Sequence, residues 1–358
     1  MNSTHIRINE RVIGNGHPTY IVAELSGNHN QEFGQAVELV RAAKRSGADA
    51  VKLQTYTPDT ITIDSDKKYF KIAGGTPWDD RTLYDLYLEA YTPWDWQPNL
   101  KSLADDLEID FFSSPFDYSA VEFLEKIEVP CYKVASFENI DLPLIEKMAN
   151  TGKPIIMSTG MANLGEIEEA LQTAYLAGTS QVALLKCTSA YPAPPEEMNL
   201  RTIPHLAEAF HIPVGLSDHT LGIAVPVAAV SLGACIVEKH LTLSREIPGP
   251  DSLFSLEPRE FENMVKAIRT AEKAVGKVCY GMTKREAKNR VFRRSLFAVK
   301  DIKLGDMFTE ENVRSIRPGH GLAPKLLKDV LGHCASCDIE RGTPIDWKLV
   351  ARSALAPA

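Results

Sequence analysis

Eight short apolar runs, each ending in polar residues, constrain the fold of this chain more than any other feature. In order they are IVAE (21–24), VKLQ (51–54), DFFSSPF (110–116), CYKVASFE (131–138), PIIMSTG (154–160), VALLKCTS (182–189), VGLSDH (214–219) and CIVEKH (235–240). Helical stretches with an amphipathic pattern lie between most of them, at 36–47, 141–152, 165–178 and 257–276. Eight strand–helix units predict an α/β fold of the closed (β/α)8 TIM-barrel type.

The chain is longer than such a barrel needs, which predicts a second domain. It has 358 residues, whereas barrels of this kind have about 250. After residue 276 the sequence becomes basic, and then come short segments separated by turn residues such as 303–306 and 340–343. These changes predict a barrel domain over 1–280, a linker over 281–295 and a small β-rich domain over 296–358.

Composition limits where the protein acts and what it binds. A formal net charge of −8 argues against general nucleic-acid binding. The polar start MNSTHIRINER lacks the apolar core of a signal peptide. None of the apolar runs reaches the roughly 18 residues of a membrane span. We therefore expect a cytoplasmic protein with no membrane partner and no nucleic-acid partner.

The six cysteines agree with a reducing compartment. Cys131, Cys187 and Cys235 lie in or beside predicted strands, which favours small buried thiols. Cys334 and Cys337 form one C-x-x-C pair. Without a second pair, this spacing is weak evidence for a zinc site.

Two histidines at neighbouring strand ends indicate a metal site. The carboxyl ends of barrel strands form the active-site rim, and His219 and His240 end the seventh and eighth runs. Each could instead be a hydrogen-bonded core histidine. Because two imidazoles converge on one rim, the pattern favours a divalent metal.

Two lysines at the same rim indicate an anion site. Lys52 and Lys133 end the second and fourth predicted strands, and a buried ammonium group is costly unless it meets an anion. Hydroxyls stand at other strand ends, namely those of Ser114, Ser136, Ser158 and Ser217. The set is typical of a phosphate and carboxylate site, although one lysine could instead form a Schiff base.

Carboxylates and aromatic residues complete the rim. Glu24 and Glu138 are expected to stay ionised and to act as a base or stabilise a developing cation, although Glu138 could belong to a structural salt bridge. The segment 55–98 is too long for a simple crossover and is rich in aromatic residues. It is expected on the catalytic face, where most of its aromatic side chains should pack it onto the barrel.

A set of strings along the chain resembles the sialic acid synthase family. They are AELSGNHN, KLQTYTPDT, FFSSPFD, YKVASFE, STGM, LKCTSAYPAP, GLSDHT, EKHLT and SIRPGHG. Together they are very specific and extend from about residue 5 to residue 350. The strings LSGNHN, KLQTYTPDT, TLYDLY, AYTPW and FSSPFD resemble most closely its pseudaminic acid synthase branch.

The resemblance implies a homodimer that exchanges C-terminal domains similar to type III antifreeze proteins (SAF domains). The implied reaction joins phosphoenolpyruvate, an amino-sugar aldehyde and water into a nine-carbon 2-keto acid and phosphate. In this branch the sugar is 2,4-diacetamido-2,4,6-trideoxy-L-altrose. His219 and His240 would hold Mn²⁺, Mg²⁺ or Co²⁺, and Glu24 would act at the reacting carbon.

The resemblance also implies how the two substrates bind. Phosphoenolpyruvate would contact Lys52, Gln54, Ser114, Lys133, Ser136, Ser158 and Ser217. The sugar would contact Asn28, Glu138, Ser189, Tyr191, Asp251 and, from the partner subunit, Arg317. Three alternatives stay open: a synthase of N-acetylneuraminate or legionaminate, a non-catalytic sugar-binding barrel, and a metal-free Schiff-base aldolase.

Overall fold

The protein, described here by a computed structural model over residues 4–351, divides into two compact units, Met1–Gly276 and Lys277–Ala358. An antiparallel hairpin of β1 (His5–Ile8) and β2 (Arg11–Gly14) opens the first unit. A closed barrel of eight parallel strands in chain order follows, which confirms the predicted fold. Its strands are β3 (Tyr20–Glu24), β4 (Ala50–Thr55), β5 (Asp110–Pro115), β6 (Tyr132–Val134), β7 (Ile155–Ser158), β8 (Val182–Cys187), β9 (Val214–Asp218) and β10 (Ile236–His240).

Helices connect the strands and cover the barrel. They are α1 (Phe33–Arg45), α2 (Pro58–Ile61), α3 (Leu83–Ala90), α4 (Gln97–Asp106), α5 (Tyr118–Lys126), α6 (Leu142–Ala149), α7 (Leu164–Leu176), α8 (Thr202–Phe210), α9 (Ala224–Ser231) and α10 (Pro258–Val275). The Asp141 side chain caps α6 by accepting a hydrogen bond from the amide of Leu144. Within residues 4–351, none of the helices is long and apolar enough to cross a membrane.

Alternate residues of each barrel strand face inward, as strand geometry requires. In β3, Ile21 and Ala23 join the core between the sheet and the helices. Tyr20 and Val22 belong to a separate core inside the barrel. Glu24 continues this inner row by two residues, so the apolar interior ends in a polar layer at the carboxyl ends of the strands.

The N-terminal hairpin adds apolar side chains to the inner core. Ile6, Ile8 and Ile13 are buried in the same cluster as Tyr20 and Phe112. The eight apolar runs do not include these strands, because each strand has only four residues and few of them are apolar. The hairpin therefore fills an end of the barrel interior that the barrel strands leave open.

The second unit has a small core of its own. Strands β11 (Ser295–Ala298) and β12 (Val313–Ile316) pair antiparallel, and the predicted turns at 303–306 and 340–343 have Gly305 and Gly342 at φ +83° and +91°. The unit also contains α12 (Leu327–Val330). The segment predicted as a linker contains helix α11 (Lys284–Asn289), which a reciprocal cap between Thr283 and Glu286 begins.

A buried ion pair joins β9 and β10. The Lys239 ammonium donates to Asp218 Oδ2 and to the carbonyl oxygen of Thr220, and both charged side chains are fully buried. Asp218 also accepts a 3.0 Å hydrogen bond from the amide of Thr220. Because Asp218 and Lys239 directly precede His219 and His240, the pair fixes the two strand ends that carry the histidines.

Lys239→Met is expected to lower the free energy of unfolding by about 3–5 kcal/mol, because it leaves the Asp218 carboxylate buried without its counter-charge. The double variant Lys239→Met/Asp218→Leu is expected to recover most of that loss, since both charges leave the interior together. Urea unfolding measures both effects. Lys266→Met, which breaks an exposed pair with Glu262, serves as the control and should cost less than about 1 kcal/mol. A Lys239→Met variant as stable as the wild type would contradict this account.

Candidate active site

Three neighbouring strands bring two carboxylates to one lysine. Lys52 Nζ lies 2.6 Å from Glu24 Oε2 and 3.7 Å from Glu238 Oε1, and all three side chains are buried. Lys52 also donates to Ser114 Oγ at 3.4 Å. Gln54 Nε2 donates to Glu24 Oε1 at 3.0 Å. Four predicted residues therefore meet at the barrel rim, together with one carboxylate that was not predicted.

The contacts move the pKa values of this cluster apart. Burial raises the pKa of Glu24, and repulsion from Glu238 adds to it despite the attraction of Lys52. Burial also opposes ionisation of Glu238, but Lys52 and Lys133 outweigh it and lower the pKa of Glu238. Although burial disfavours the ammonium form, Glu238 and Glu24 raise the pKa of Lys52. Of the two carboxyl groups beside Lys52, Glu24 therefore takes up a proton more readily than Glu238.

Glu238 is the residue that the sequence analysis missed. Its Oε1 accepts a hydrogen bond from Ser217 at 3.3 Å, so it ties a predicted serine to Lys52. The signal was present in the sequence, because Glu238 precedes His240 by two residues in β10. Residues two apart in a strand face the same side, so an inward His240 implies an inward Glu238.

Lys133 is the middle residue of the short strand β6 and donates hydrogen bonds only to neutral oxygens. Its Nζ donates to the carbonyl oxygen of Val134 at 2.8 Å and to Ser158 Oγ at 2.5 Å. The side chain is only 1% exposed. Burial lowers the pKa of Lys133, with repulsion from Lys52 adding to the effect and Glu238 opposing it. Since its hydrogen-bond partners are neutral, an anion bound here would stabilise its charged form.

Gly160 lets the backbone approach two predicted serines. Its amide donates to Ser136 Oγ at 3.2 Å. A Cβ atom at this position would lie 2.2 Å from Ser189 Oγ and 2.6 Å from Ser136 Oγ. Only glycine fits at such a distance, so the space beside Gly160 belongs to the site.

The two histidines face each other at the ends of β9 and β10. The ring centroids of His219 and His240 are 5.4 Å apart, and both side chains are buried. His219 Nδ1 lies 3.0 Å from the carbonyl oxygen of Thr188, which can only accept, so Nδ1 carries the proton and Nε2 is left for a ligand. The buried Nδ1 of His240 has no hydrogen-bond partner among the described residues.

The environments of the two imidazoles differ. Burial, with repulsion from His219, lowers the pKa of His240 well below its usual value, so this ring is neutral and keeps a lone pair. Burial alone would lower the pKa of His219, but contacts with Cys187 and the Thr188 carbonyl raise it. The pKa of Cys187 falls to about 7 because its contact with His219 outweighs its burial. The thiol, predicted to be buried, is confirmed in that position.

The pair of histidines fits a divalent ion through the unpartnered nitrogen of His240 and the oriented ring of His219. Within residues 4–351, no group of three or more His, Cys, Asp or Glu side chains is arranged to hold a metal. A metal here would therefore have two protein ligands and would take its other ligands from water and substrate.

Aromatic rings form one wall beside the histidines. The Tyr191 ring lies 4.4 Å from that of His219, and the Phe254 ring lies 5.0 Å from that of His240. Trp78, from the insertion after β4, lies 5.5 Å from Tyr191. The insertion therefore reaches the catalytic face as predicted, although Trp78 was not singled out.

Two further predicted residues, Asn28 and Asp251, form hydrogen bonds within the protein. Asn28 Nδ2 donates to the Leu241 carbonyl oxygen at 2.9 Å and to Ser255 Oγ at 2.8 Å, which leaves only its oxygen for a ligand. Asp251 Oδ2 accepts from Ser26 Oγ. Burial raises the pKa of Asp251, with the Ser26 hydrogen bond opposing the shift.

The expectation that Glu138 stays fully ionised does not fit its surroundings. Burial raises its pKa to about 7, only partly opposed by a backbone hydrogen bond and Lys133. Its Oε2 is buried and has no hydrogen-bond partner among the described residues. A half-protonated carboxyl group in this position can donate or accept a hydrogen bond.

Arg317 lies in the second unit, one residue after β12, and its side chain is exposed. Its predicted approach to the partner's barrel stays a prediction. Cys334 and Cys337 are free and exposed in the same unit.

Comparisons with known proteins identify the family of this chain. The sequence profile of the NeuB family matches residues 39–280, and that of the SAF domain matches residues 293–351. The pseudaminic acid synthase of Helicobacter pylori is 45% identical over 337 residues, which are 94% of this chain and 99% of that protein. The pseudaminic acid synthase of Campylobacter jejuni serotype O:23/36 is 47% identical over 323 residues, which are 90% of this chain and 94% of that protein.

A solved structure is similar over the same length. The spore coat polysaccharide biosynthesis protein spsE of Bacillus subtilis superposes with a TM-score of 0.66 at 32% identity, covering 98% of this chain and 99% of that one. The closed barrel, its polar strand ends and the SAF domain define a synthase, an enzyme of the transferase type. The chain belongs to the NeuB family, which confirms the resemblance to sialic acid synthases.

Gly160→Ala is expected to lower kcat/KM by about 100-fold, because the added methyl group must displace the Ser136 and Ser189 hydroxyls and small misplacements in an active site cost that much. A steady-state assay of product formation measures the change. Gly34→Ala is the matched control, since a Cβ atom there meets nothing within 4 Å. Equal activity of the two variants would show that the space beside Gly160 is not used.

Proposed function

We propose that this enzyme condenses phosphoenolpyruvate with 2,4-diacetamido-2,4,6-trideoxy-L-altrose and water to give pseudaminic acid and phosphate. The observation that carries the proposal is the pair of buried lysines, Lys52 and Lys133, at the same barrel rim as the two histidines. The anion site suits phosphoenolpyruvate, and the candidate metal site beside it suits the aldehyde of the sugar. The identity to two pseudaminic acid synthases supports the choice of sugar.

The lysines bind the two anionic groups of phosphoenolpyruvate. Lys52 holds the phosphate with the hydroxyls of the strand ends, and Lys133 holds the carboxylate. Bound phosphoenolpyruvate gives each buried ammonium group a counter-charge. The electrostatic attraction between them is strongest where water is excluded. The phosphate-binding oxygens and amide come from Gln54, Ser114, Ser136, Ser158 and Ser217.

His219 and His240 would hold a divalent ion, Mn²⁺, Mg²⁺ or Co²⁺. When bound, such an ion supplies Lewis acidity toward the aldehyde oxygen of the open-chain sugar. Two features suit the histidines to bind the ion. The Thr188 carbonyl orients the His219 ring, and burial keeps the His240 ring neutral. The rings of Tyr191 and Phe254 pack against the histidines and exclude water from their side.

The reaction forms one carbon–carbon bond and one carbon–oxygen bond, the latter to water, and breaks the carbon–oxygen bond to phosphate, while the aldehyde oxygen takes up a proton and becomes a hydroxyl group. The enol carbon attacks the aldehyde, and C2 gains cationic character that Glu24 stabilises. Water adds at C2 as its proton passes to Glu24, whose raised pKa suits it to accept that proton. The resulting hemiketal phosphate releases phosphate by cleavage of the bond between carbon and oxygen, which leaves the keto acid.

The sugar is held by polar groups around the histidines. Ser189, Tyr191 and Asp251 contact its hydroxyl and acetamido groups, Asn28 offers its amide oxygen, and Glu138 donates or accepts according to its protonation state. Arg317 comes from the partner of a homodimer with exchanged SAF domains and contacts an N-acetyl group.

The six free cysteines support a cytoplasmic location, where thiols stay reduced.

The substrate assignment is tested with the full-length enzyme, Mn²⁺, phosphoenolpyruvate and three sugars: the altrose derivative and the hexosamine precursors of N-acetylneuraminate and of legionaminate. Phosphate release should be fastest with the altrose derivative, and mass spectrometry should identify a nine-carbon keto acid. In H₂¹⁸O the label should enter the keto acid rather than phosphate. Faster turnover of another sugar would replace the assigned substrate, and turnover of none would refute the synthase assignment.

Removal of metal with EDTA is expected to abolish turnover, and added Mn²⁺ to restore it. His219→Ala and His240→Ala should each weaken Mn²⁺ binding by about tenfold or more, since loss of even an outer-shell partner costs 10–100-fold. Electron paramagnetic resonance of free Mn²⁺ measures this binding without turnover. His205→Ala, an exposed histidine on α8, should bind Mn²⁺ as the wild type does. Full activity after removal of all metal would exclude this role for the histidines.

A further inference from the structure

We propose that Trp78 is a specificity-determining residue that contacts the deoxygenated, methyl-bearing end of the sugar. The proposal rests on the proposed function and names the part of the substrate that Trp78 recognises. It depends on three observations: an ordered turn that holds Trp78, a hydrogen bond that occupies its only polar atom, and its place in the row of rings beside the histidines.

The turn that carries Trp78 is held by one carboxylate. Asp79 accepts hydrogen bonds from the amides of Gly74, Gly75 and Thr76 at 3.2, 2.8 and 2.9 Å, and from Thr76 Oγ1 at 2.7 Å. Four donors to one side chain close a compact loop in an otherwise exposed segment. Trp78 lies between Thr76 and Asp79, so its backbone is fixed although most of its neighbours in sequence are exposed.

The indole is attached to the barrel through its nitrogen. Trp78 Nε1 donates to the carbonyl oxygen of Pro250 at 2.8 Å. Its ring lies 5.5 Å from Tyr191 and 6.4 Å from Phe254. Trp78 is half-buried, whereas Phe254 is almost completely buried. Because its one N–H group is already used, the surface that Trp78 still presents is entirely apolar.

The order of the rings matches the order of groups in the substrate. Tyr191 packs between His219 and Trp78, with centroid distances of 4.4 and 5.5 Å. With the aldehyde carbon of the open-chain sugar at the histidines, a chain that extends along Tyr191 brings its far end toward Trp78. In the proposed substrate that end carries a methyl group instead of a hydroxymethyl group.

An apolar surface distinguishes these two groups. A methyl group against the indole loses water at no cost, whereas a hydroxyl group would lose its hydrogen bonds to water and find no donor or acceptor on Trp78. Apolar pockets discriminate by about 10–200-fold for one small group. If Trp78 only anchors the insertion to the barrel, its loss would affect both sugars alike.

The test compares the altrose derivative with its 6-hydroxy counterpart in assays of phosphate release by the full-length enzyme. The wild type should prefer the 6-deoxy sugar by about 10–100-fold in kcat/KM, and Trp78→Ala should lose most of that preference through a higher KM for the 6-deoxy sugar. Trp78→Phe, which keeps an apolar ring but loses the N–H group, should retain most of it. Asp79→Ala, which frees the turn and leaves the indole intact, should lower it. The KM for phosphoenolpyruvate should stay unchanged.

Tyr69→Ala is the matched control, because this aromatic residue of the same insertion is 78% exposed. A Trp78→Ala enzyme that keeps the wild-type ratio between the two sugars overturns the proposal for Trp78 alone. If Trp78→Ala lowers kcat/KM equally for both sugars, Trp78 only anchors the insertion, and this result also overturns the proposal. If the wild type releases phosphate with neither sugar, the proposed function itself fails. If Trp78→Ala does not fold, the ratio of kcat/KM between the two sugars in Asp79→Ala and Trp78→Phe tests the proposal instead.

Discussion

Two ammonium groups and two carboxyl groups share the buried upper end of the barrel, and the organisation of the site depends on how they neutralise one another. Lys52 lies between Glu24 and Glu238, and Lys133 contributes a second positive charge with only neutral hydrogen-bond partners. Isolated charges at this depth would be strongly unfavourable. Together they leave Lys133 without a hydrogen-bonded counter-charge and one carboxyl group, Glu24, with a raised pKa. Both features suit an anionic substrate whose reaction must move a proton.

The barrel sets these charges in place through the alternation of its strands. Inward positions place Glu238 and His240 in the site, while the intervening Lys239 pairs outside the barrel with Asp218. The same two strands thus hold a structural ion pair on one face and the histidines on the other. A defect in the outer pair would disturb the inner groups, because the backbone connects them within a single residue.

Segments outside the regular strand–helix pattern carry the residues proposed to select the sugar. A hydrogen bond from Trp78 to Pro250 connects the insertion after β4 to the loop after β10. The indole ring of Trp78 packs against Tyr191, which lies beside the histidines. The groups proposed to bind phosphoenolpyruvate therefore come from strand ends, whereas the groups proposed to select the sugar come from loops. This division lets loops change the substrate while the chemistry at the strand ends stays the same.

The sequence by itself determined the eight barrel strands, the polar rim and most of its members, because the period of two and the strand ends are local properties of the chain. It also placed His219 and His240 on neighbouring strands. The pairing of Lys52 with Glu238, the hydrogen bonds that occupy the amide of Asn28, and the contact between Trp78 and Tyr191 were decided only by the tertiary structure. These contacts join residues far apart in the chain, and barrel closure and loop packing set their distances. No local pattern contains that information.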